Sequence, residues 1–83
     1  MTMNLERAAM KGKLAEAEQT ETRLKLRIEA AARAIRQGLN TALTPVEELT
    51  IPELDTIWDE LKLAWIELQR AQADKTRLER ELR

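Results

Sequence analysis

The apolar residues of this chain recur at alternating spacings of three and four, which is the pattern of a heptad repeat on a helix. In the first half of the chain the inward positions of this repeat are Met3, Arg7, Met10, Leu14, Ala17, Glu21, Leu24, Ile28, Ala31, Ile35, Gly38 and Ala42. All but Arg7 and Glu21 are apolar or small, and no proline interrupts them. Gly12 and Gly38 weaken a helix by about 1 kcal/mol each, which is too little to break it. The pattern predicts one long helix over about residues 3–43.

The second half repeats the pattern more cleanly. Its inward positions are Leu54, Ile57, Leu61, Ala64, Leu68, Ala71, Lys75, Leu78 and Leu82. Between the two halves, Thr44-Pro45-Val46-Glu47 and Thr50-Ile51-Pro52-Glu53 each offer a capping threonine, a proline in the first turn and a glutamate three residues after the threonine, which is typical of a helix start. Pro45 also disfavours helical geometry at Thr44. These signals predict a turn at 44–50 and a second helix over about 51–82.

Two helices joined by so short a connection pack as antiparallel neighbours. The sequence therefore predicts an all-α fold with a single domain over 1–83: a long antiparallel helical hairpin, or coiled coil, that dimerises into a four-helix bundle. A chain of 83 residues buries only a modest core by itself. Its composition, rich in Leu, Ala, Glu, Lys, Arg and Gln, is typical of long helices.

Two registers of this hairpin fit the sequence. The first sets Ile35 opposite Ile57 and brings three basic residues near acidic ones: Lys13 near Glu81, Lys11 near Glu79 and Arg27 near Glu67. The second is shifted by one heptad, so that Ile35 lies opposite Ala64 and large residues alternate with small ones. The charge pairs and the short connection favour the first. Both registers set Glu21 and Lys75 one layer apart, as an ion pair that would help to select the register.

In the first register the second helix ends level with about residue 9. Residues 1–8 then have no partner within the chain, although they include Met3 and Leu5. We expect this stretch either to fray or to be covered by another chain.

The usual catalytic nucleophiles, and the one side chain that titrates near neutral pH, are missing from this sequence. The chain contains no His, Cys, Ser or Tyr, and no glycine-rich phosphate loop or metal-ligand spacing. We therefore predict no catalytic residues, no cofactor and no metal. No apolar run approaches the roughly 20 residues that span a bilayer, and no apolar segment like that of a signal peptide is present. We expect a non-enzymatic, cytoplasmic protein without a membrane partner.

Trp58 and Trp65 stand one heptad apart, beside the inward stripe of the second helix. They fit three interpretations: core of the hairpin against Ala32 and Lys25, the centre of a self-association interface, or a dock for a helix of another protein. Tryptophan is enriched where interfaces are most energetic, which favours the second. The predicted interface residues are Trp58, Leu63, Trp65, Ile66, Leu39, Met3 and Met10. The predicted function is that of a structural, assembly or adaptor protein that acts through helix packing, with itself or another helical protein as partner.

The alternative function is contact with nucleic acid through the basic face at 23–36. Arg23, Arg33 and Arg36 project from the outer side of the first helix, where they could meet phosphates. Against this alternative, Glu29 interrupts the face, no aromatic residue is interleaved to stack on bases, and the net charge is −1. A protein partner is therefore the preferred hypothesis.

Overall fold

The fold is a hairpin of two long helices. The computed structural model describes the backbone of residues 2–83 and the side chains of residues 5–83. Helix α1 covers Thr2–Gly38 and helix α2 covers Ile51–Leu82. The turn between them contains a short 3₁₀ helix, Val46–Glu48, and the described residues include no strand. The two helices pack along each other in a rod of 67 × 16 × 15 Å. The predicted all-α helical hairpin is confirmed.

The seam between the helices follows the heptad pattern. Every predicted inward residue of α2, from Leu54 to Leu82, is buried or half-buried. On α1 the same holds for the inward positions from Met10 to Gly38. The centre of the core is a cluster of four buried residues with a fifth packed against it: Leu24, Ala64, Leu68, Ala71 and Ile28. The alternation of three and four thus predicted which face of each helix is buried.

Contacts across the seam identify the register. A Cβ atom built on Gly38 would lie 2.5 Å from Cδ2 of Leu54, so these two residues face each other. Further along, Nη1 of Arg27 lies 3.9 Å from Oε2 of Glu67. Both contacts belong to the first register, which is confirmed, and the register shifted by one heptad is wrong. Two other charge pairs expected from this register are not among the ion pairs of the described residues: Lys13 with Glu81 and Lys11 with Glu79.

Glu21 is the charged residue closest to the centre of the seam. Its side chain is only 13% exposed and lies between two ammonium groups, with Nζ of Lys25 at 2.9 Å and Nζ of Lys75 at 3.5 Å. The hydrogen bond from Lys25 lowers the pKa of this carboxyl below its ordinary value, and the charges of both lysines act in the same direction, against the opposing effect of burial. The contact with Lys75 confirms the predicted proximity of these two residues.

Glu21→Gln is expected to change how the stability of the hairpin depends on pH. A lowered pKa in the folded state means that the ionised carboxylate stabilises the fold above about pH 4.5, and that this contribution is lost as the pH falls through the folded pKa. The wild-type protein should therefore melt at a higher temperature than Glu21→Gln at pH 7, and the two should converge in acid. Thermal unfolding of both proteins between pH 3 and 7 measures this difference, and a constant gap would contradict it.

Helix α1 ends at Gly38, and the prediction that it continues to about residue 43 is wrong. The cause is Asn40, whose Oδ1 accepts a hydrogen bond of 3.1 Å from the amide of Ala42. Its main-chain carbonyl accepts two more, from the amides of Leu43 and Thr44. Asparagine competes with the helix for backbone hydrogen bonds in this way, and Gly38, two residues earlier, disfavours the helix more than most residues do. Ala42 consequently lies in the turn, exposed, and not in the seam.

Helix α2 starts at the predicted residue, Ile51, but without the predicted side-chain cap. Neither Thr50 nor the start of the 3₁₀ helix shows a side-chain capping hydrogen bond, so the predicted threonine caps are wrong. The main-chain carbonyl of Thr50 accepts from the amides of Glu53 and Leu54, which are the first hydrogen bonds of the helix. Pro52 lies in the first turn, where its missing amide costs nothing, and the charge of Glu53 interacts favourably with the helix dipole.

Gly12→Ala is expected to stabilise the hairpin by about 0.5–1 kcal/mol, which is the difference in helix propensity between the two residues. A Cβ atom at Gly12 would meet nothing within 4 Å, so no packing cost opposes this gain. Gly38→Ala is the matched comparison, because there the added atom would push against Leu54. Chemical denaturation should show a gain for Gly12→Ala and a smaller gain or a loss for Gly38→Ala.

At the open end of the hairpin, α1 extends beyond α2. Residues 5–9 are exposed, and Leu5 retains 74% of its surface. One contact was not expected there: Nη2 of Arg7 donates a hydrogen bond of 3.0 Å to the main-chain carbonyl of Leu82. This carbonyl is among the last of α2, where helices leave such groups without a partner and favour a positive charge. Within the described residues, neither helix is both long and apolar enough to cross a membrane.

Candidate protein-interaction surface

Helix α2 carries an apolar groove on its solvent side. Trp58, Leu61, Lys62 and Trp65 follow one another at the spacings of a single helix face, and Ile66 closes the far end. These five residues line an open depression of about 440 Å³ whose walls present no polar atoms. Lysine fits such a wall because its methylene stem is apolar while its charge reaches solvent. We refer to this depression, lined by these five residues, as the Trp groove.

The tryptophans of this groove do not belong to the core of a single hairpin. Trp58 keeps 49% of its surface exposed and Trp65 keeps 55%. Helix α1 covers the inward stripe of α2, but it leaves the adjacent side, where both indoles lie, open to solvent. The interpretation of the two residues as hairpin core is therefore wrong for the single chain, and the two interface interpretations remain.

The other predicted interface residues lie in different surroundings. Leu39 is 47% exposed just after α1, and Met10 is half-buried in the seam. Leu63 is 61% exposed but points about 160° around the helix from Trp65, at 100° per residue, so it lies outside the Trp groove. The side chain of Met3 lies outside the described residues. The structure adds Leu61 and Lys62 to the predicted set, and their spacing of three and four residues from Trp58 is the sequence signal that could have identified them.

Exposed large apolar side chains are concentrated toward the turn. Eight of the ten in the described residues lie between positions 39 and 66: Leu39, Leu43, Val46, Ile51, Trp58, Leu63, Trp65 and Ile66. The other two are Leu5 and Leu26. By contrast, the largest depression in the second half of α2 is lined mainly by polar residues: Gln69, Gln72, Ala73, Thr76, Arg77, Arg80 and Glu81. The turn half of the hairpin is thus the apolar half.

The basic residues of α1 do not form a comparable site. Arg23, Arg33 and Arg36 are all exposed. At 100° per residue, however, Arg23 and Arg36 point about 140° apart around the helix. Glu29 lies one helical turn before Arg33 and two turns before Arg36, so a carboxylate shares their side of the helix. The three guanidinium groups therefore do not converge on one phosphate-binding surface.

The described residues offer little else that could carry chemistry. No group of three His, Cys, Asp or Glu side chains among them is arranged to hold a metal ion. The one carboxyl among them with a shifted pKa, that of Glu21, is held in the seam by Lys25 and Lys75.

No family model, curated protein or solved structure matches this chain. Its function is therefore inferred from the physical chemistry of its surface. Of the depressions described above, the Trp groove is the one lined by large apolar side chains, which gain free energy by being covered.

Proposed function

We propose that this chain is a non-enzymatic assembly protein that acts through helix packing, and that the Trp groove binds a second copy of the chain. The observation that carries the proposal is the half-exposure of both tryptophans in a groove whose walls present no polar atoms. Buried tryptophans dominate the energetics of many protein interfaces, and contiguous exposed apolar surface on a soluble chain is typical of an interaction site.

The surface area of the hairpin supports a second copy as the occupant. The chain exposes 6734 Å², whereas a compact monomer of 9.6 kDa exposes only about 5,100 Å² by the usual scaling with mass. The excess of about 1,600 Å² is larger than the roughly 800 Å² that each partner buries in an interface of standard size. One dimer contact of standard size would remove about half of this excess.

The small core of the hairpin supports the same proposal. Only five side chains in the described residues are buried: Leu24, Ala64, Leu68, Ala71 and Leu78. A chain of this size gains little stability from so few buried groups, and small domains commonly compensate by associating. We also propose a cytoplasmic location. Disulfides are rare in that compartment, and this chain has no cysteine with which to form one.

Sedimentation equilibrium and tryptophan fluorescence across a concentration series test the proposal together. We expect a dimer at tens of micromolar protein. Because Trp58 and Trp65 are the only aromatic residues, the emission should shift to shorter wavelength as the dimer forms and the indoles leave water. A monomer with constant emission at every concentration would reject the homodimer, and would leave a helix of another protein as the occupant of the groove.

A further inference from the structure

We infer that two copies associate through α2, antiparallel, about a two-fold axis that passes the Trp groove at Lys62. This inference rests on the proposed function and specifies how the second copy is oriented. A two-fold interface uses the same surface on both copies, so the surface must be complementary to itself. The Trp groove meets this condition in its shape, its charges and its surroundings.

The shape is complementary because large apolar groups lie at both ends of the groove. Trp58 forms one end, Ile66 forms the other, and Lys62 is midway between them in sequence. An antiparallel copy centred on Lys62 therefore sets the indole of Trp58 against Ile66 of the second copy, and the reverse on the other side of the axis. Trp58 of each copy thus meets an aliphatic side chain, the stem of Lys62 fills the middle, and Trp65 lies level with Asp59 of the second copy.

The charges are complementary because each copy brings both signs to the axis. Nζ of Lys62 lies 3.1 Å from Oδ1 of Asp59, which is three residues earlier on the same helix. In the antiparallel arrangement, Asp59 of the second copy lies level with position 65 of the first copy, three residues after Lys62. Each lysine is then flanked by two carboxylates, which offsets the approach of the two lysines to each other.

The alternative arrangement, with both turns at the same end, sets the groove against α1 of the second copy. The corresponding face of α1 carries Lys25, Glu29 and Arg36, all exposed. Covering these charges with tryptophan would remove them from water without partners in the groove, which is costly. Antiparallel pairing of α2 with α2 avoids this cost, because the charges that it brings to the contact, those of Lys62 and Asp59, have each other as partners.

The surroundings limit how far the two copies overlap. Beyond Ile66, the same side of α2 carries Gln69, Gln72, Thr76 and Arg80, which gain little from burial. The contact is therefore confined to the turn halves, and the open ends project in opposite directions. Along the rod axis, the distance from the level of Lys62 to the N-terminal end of α1 is about 42 Å at 1.5 Å per residue. The dimer, which extends this far on both sides of the axis, should therefore be about 85 Å long, compared with 67 Å for one hairpin. Such a rod presents the same open end at both of its extremities.

Disulfide-length crosslinking tests the orientation, and the absence of native cysteine makes single-cysteine variants unambiguous. Asp55→Cys and Gln69→Cys lie one heptad on either side of Lys62 and point the same way. Mixing these two variants should give crosslinked mixed dimers in high yield, whereas each variant alone should give little product. Thr56→Cys mixed with Arg70→Cys is the matched control, since it has the same spacing on the side of α2 that faces away, and should give little.

The outcomes separate this inference from the proposed function. A dimer in sedimentation that crosslinks Asp55→Cys to itself, or that crosslinks the control pair equally well, overturns the antiparallel geometry and leaves the homodimer intact. A monomer in sedimentation overturns both. Small-angle scattering of the wild-type dimer gives an independent measurement: a maximum dimension near 85 Å supports the inference, and one near 67 Å rejects it.

Discussion

Leu24→Ala is expected to lower the free energy of unfolding by about 2–5 kcal/mol, the range for truncating a buried leucine. Leu24 is 2% exposed and lies at the centre of the core. Two of the neighbours that pack with it, Ala64 and Ala71, are too small to close the cavity that the substitution leaves. Urea denaturation followed by circular dichroism measures the change, at one fixed protein concentration because association also stabilises the fold.

Leu26→Ala is the matched control for this measurement. The same substitution is made two residues away on the same helix, but Leu26 is 62% exposed and leaves no cavity. Its effect should stay within about 0.5 kcal/mol, as for most surface positions. Equal losses for the two variants would mean that the seam of the hairpin does not pass through Leu24.

Replacing both Trp58 and Trp65 by Gln is expected to weaken self-association by about 100-fold or more. Each tryptophan contributes about 2 kcal/mol if it is an energetic centre of the interface, and 1.4 kcal/mol corresponds to a tenfold change in the dissociation constant. The helices themselves should persist, because both residues lie beside the seam and not in it. Sedimentation equilibrium and circular dichroism on the same samples separate the two effects.

Leu63→Gln is the control for the tryptophan variant. Leu63 is as exposed as the tryptophans and lies on the same helix, but outside the Trp groove. It should leave the dissociation constant of the dimer nearly unchanged. A loss as large as that of the tryptophan variant would move the interface toward the other side of α2, and a collapse of helicity in the tryptophan variant would assign the indoles to the hairpin itself.

The agreement between heptad pattern and burial has a simple cause. On a helix, the spacing of apolar residues determines the direction in which they point, and that direction can be read without knowing the partner. The half-buried Lys75 illustrates this, since its position in the stripe of α2 outweighs its charge, which Glu21 partly neutralises. The same reasoning places Leu63 on a different side of α2 from the tryptophans, which is where the structure has it.

By itself, then, the sequence determined the two helices, their inward faces, the start of α2 and the apolar character of the turn half, because each depends on local spacing and composition. Only the tertiary structure decided between the two registers, because contacts such as that of Gly38 with Leu54 join residues that are distant in sequence. It also decided that α1 ends at Gly38, where the turn of Asn40 competes with one more helical turn. The hydrogen bonds of Asn40 that end the helix join residues of the turn, and the apolar periodicity of α1 does not record them.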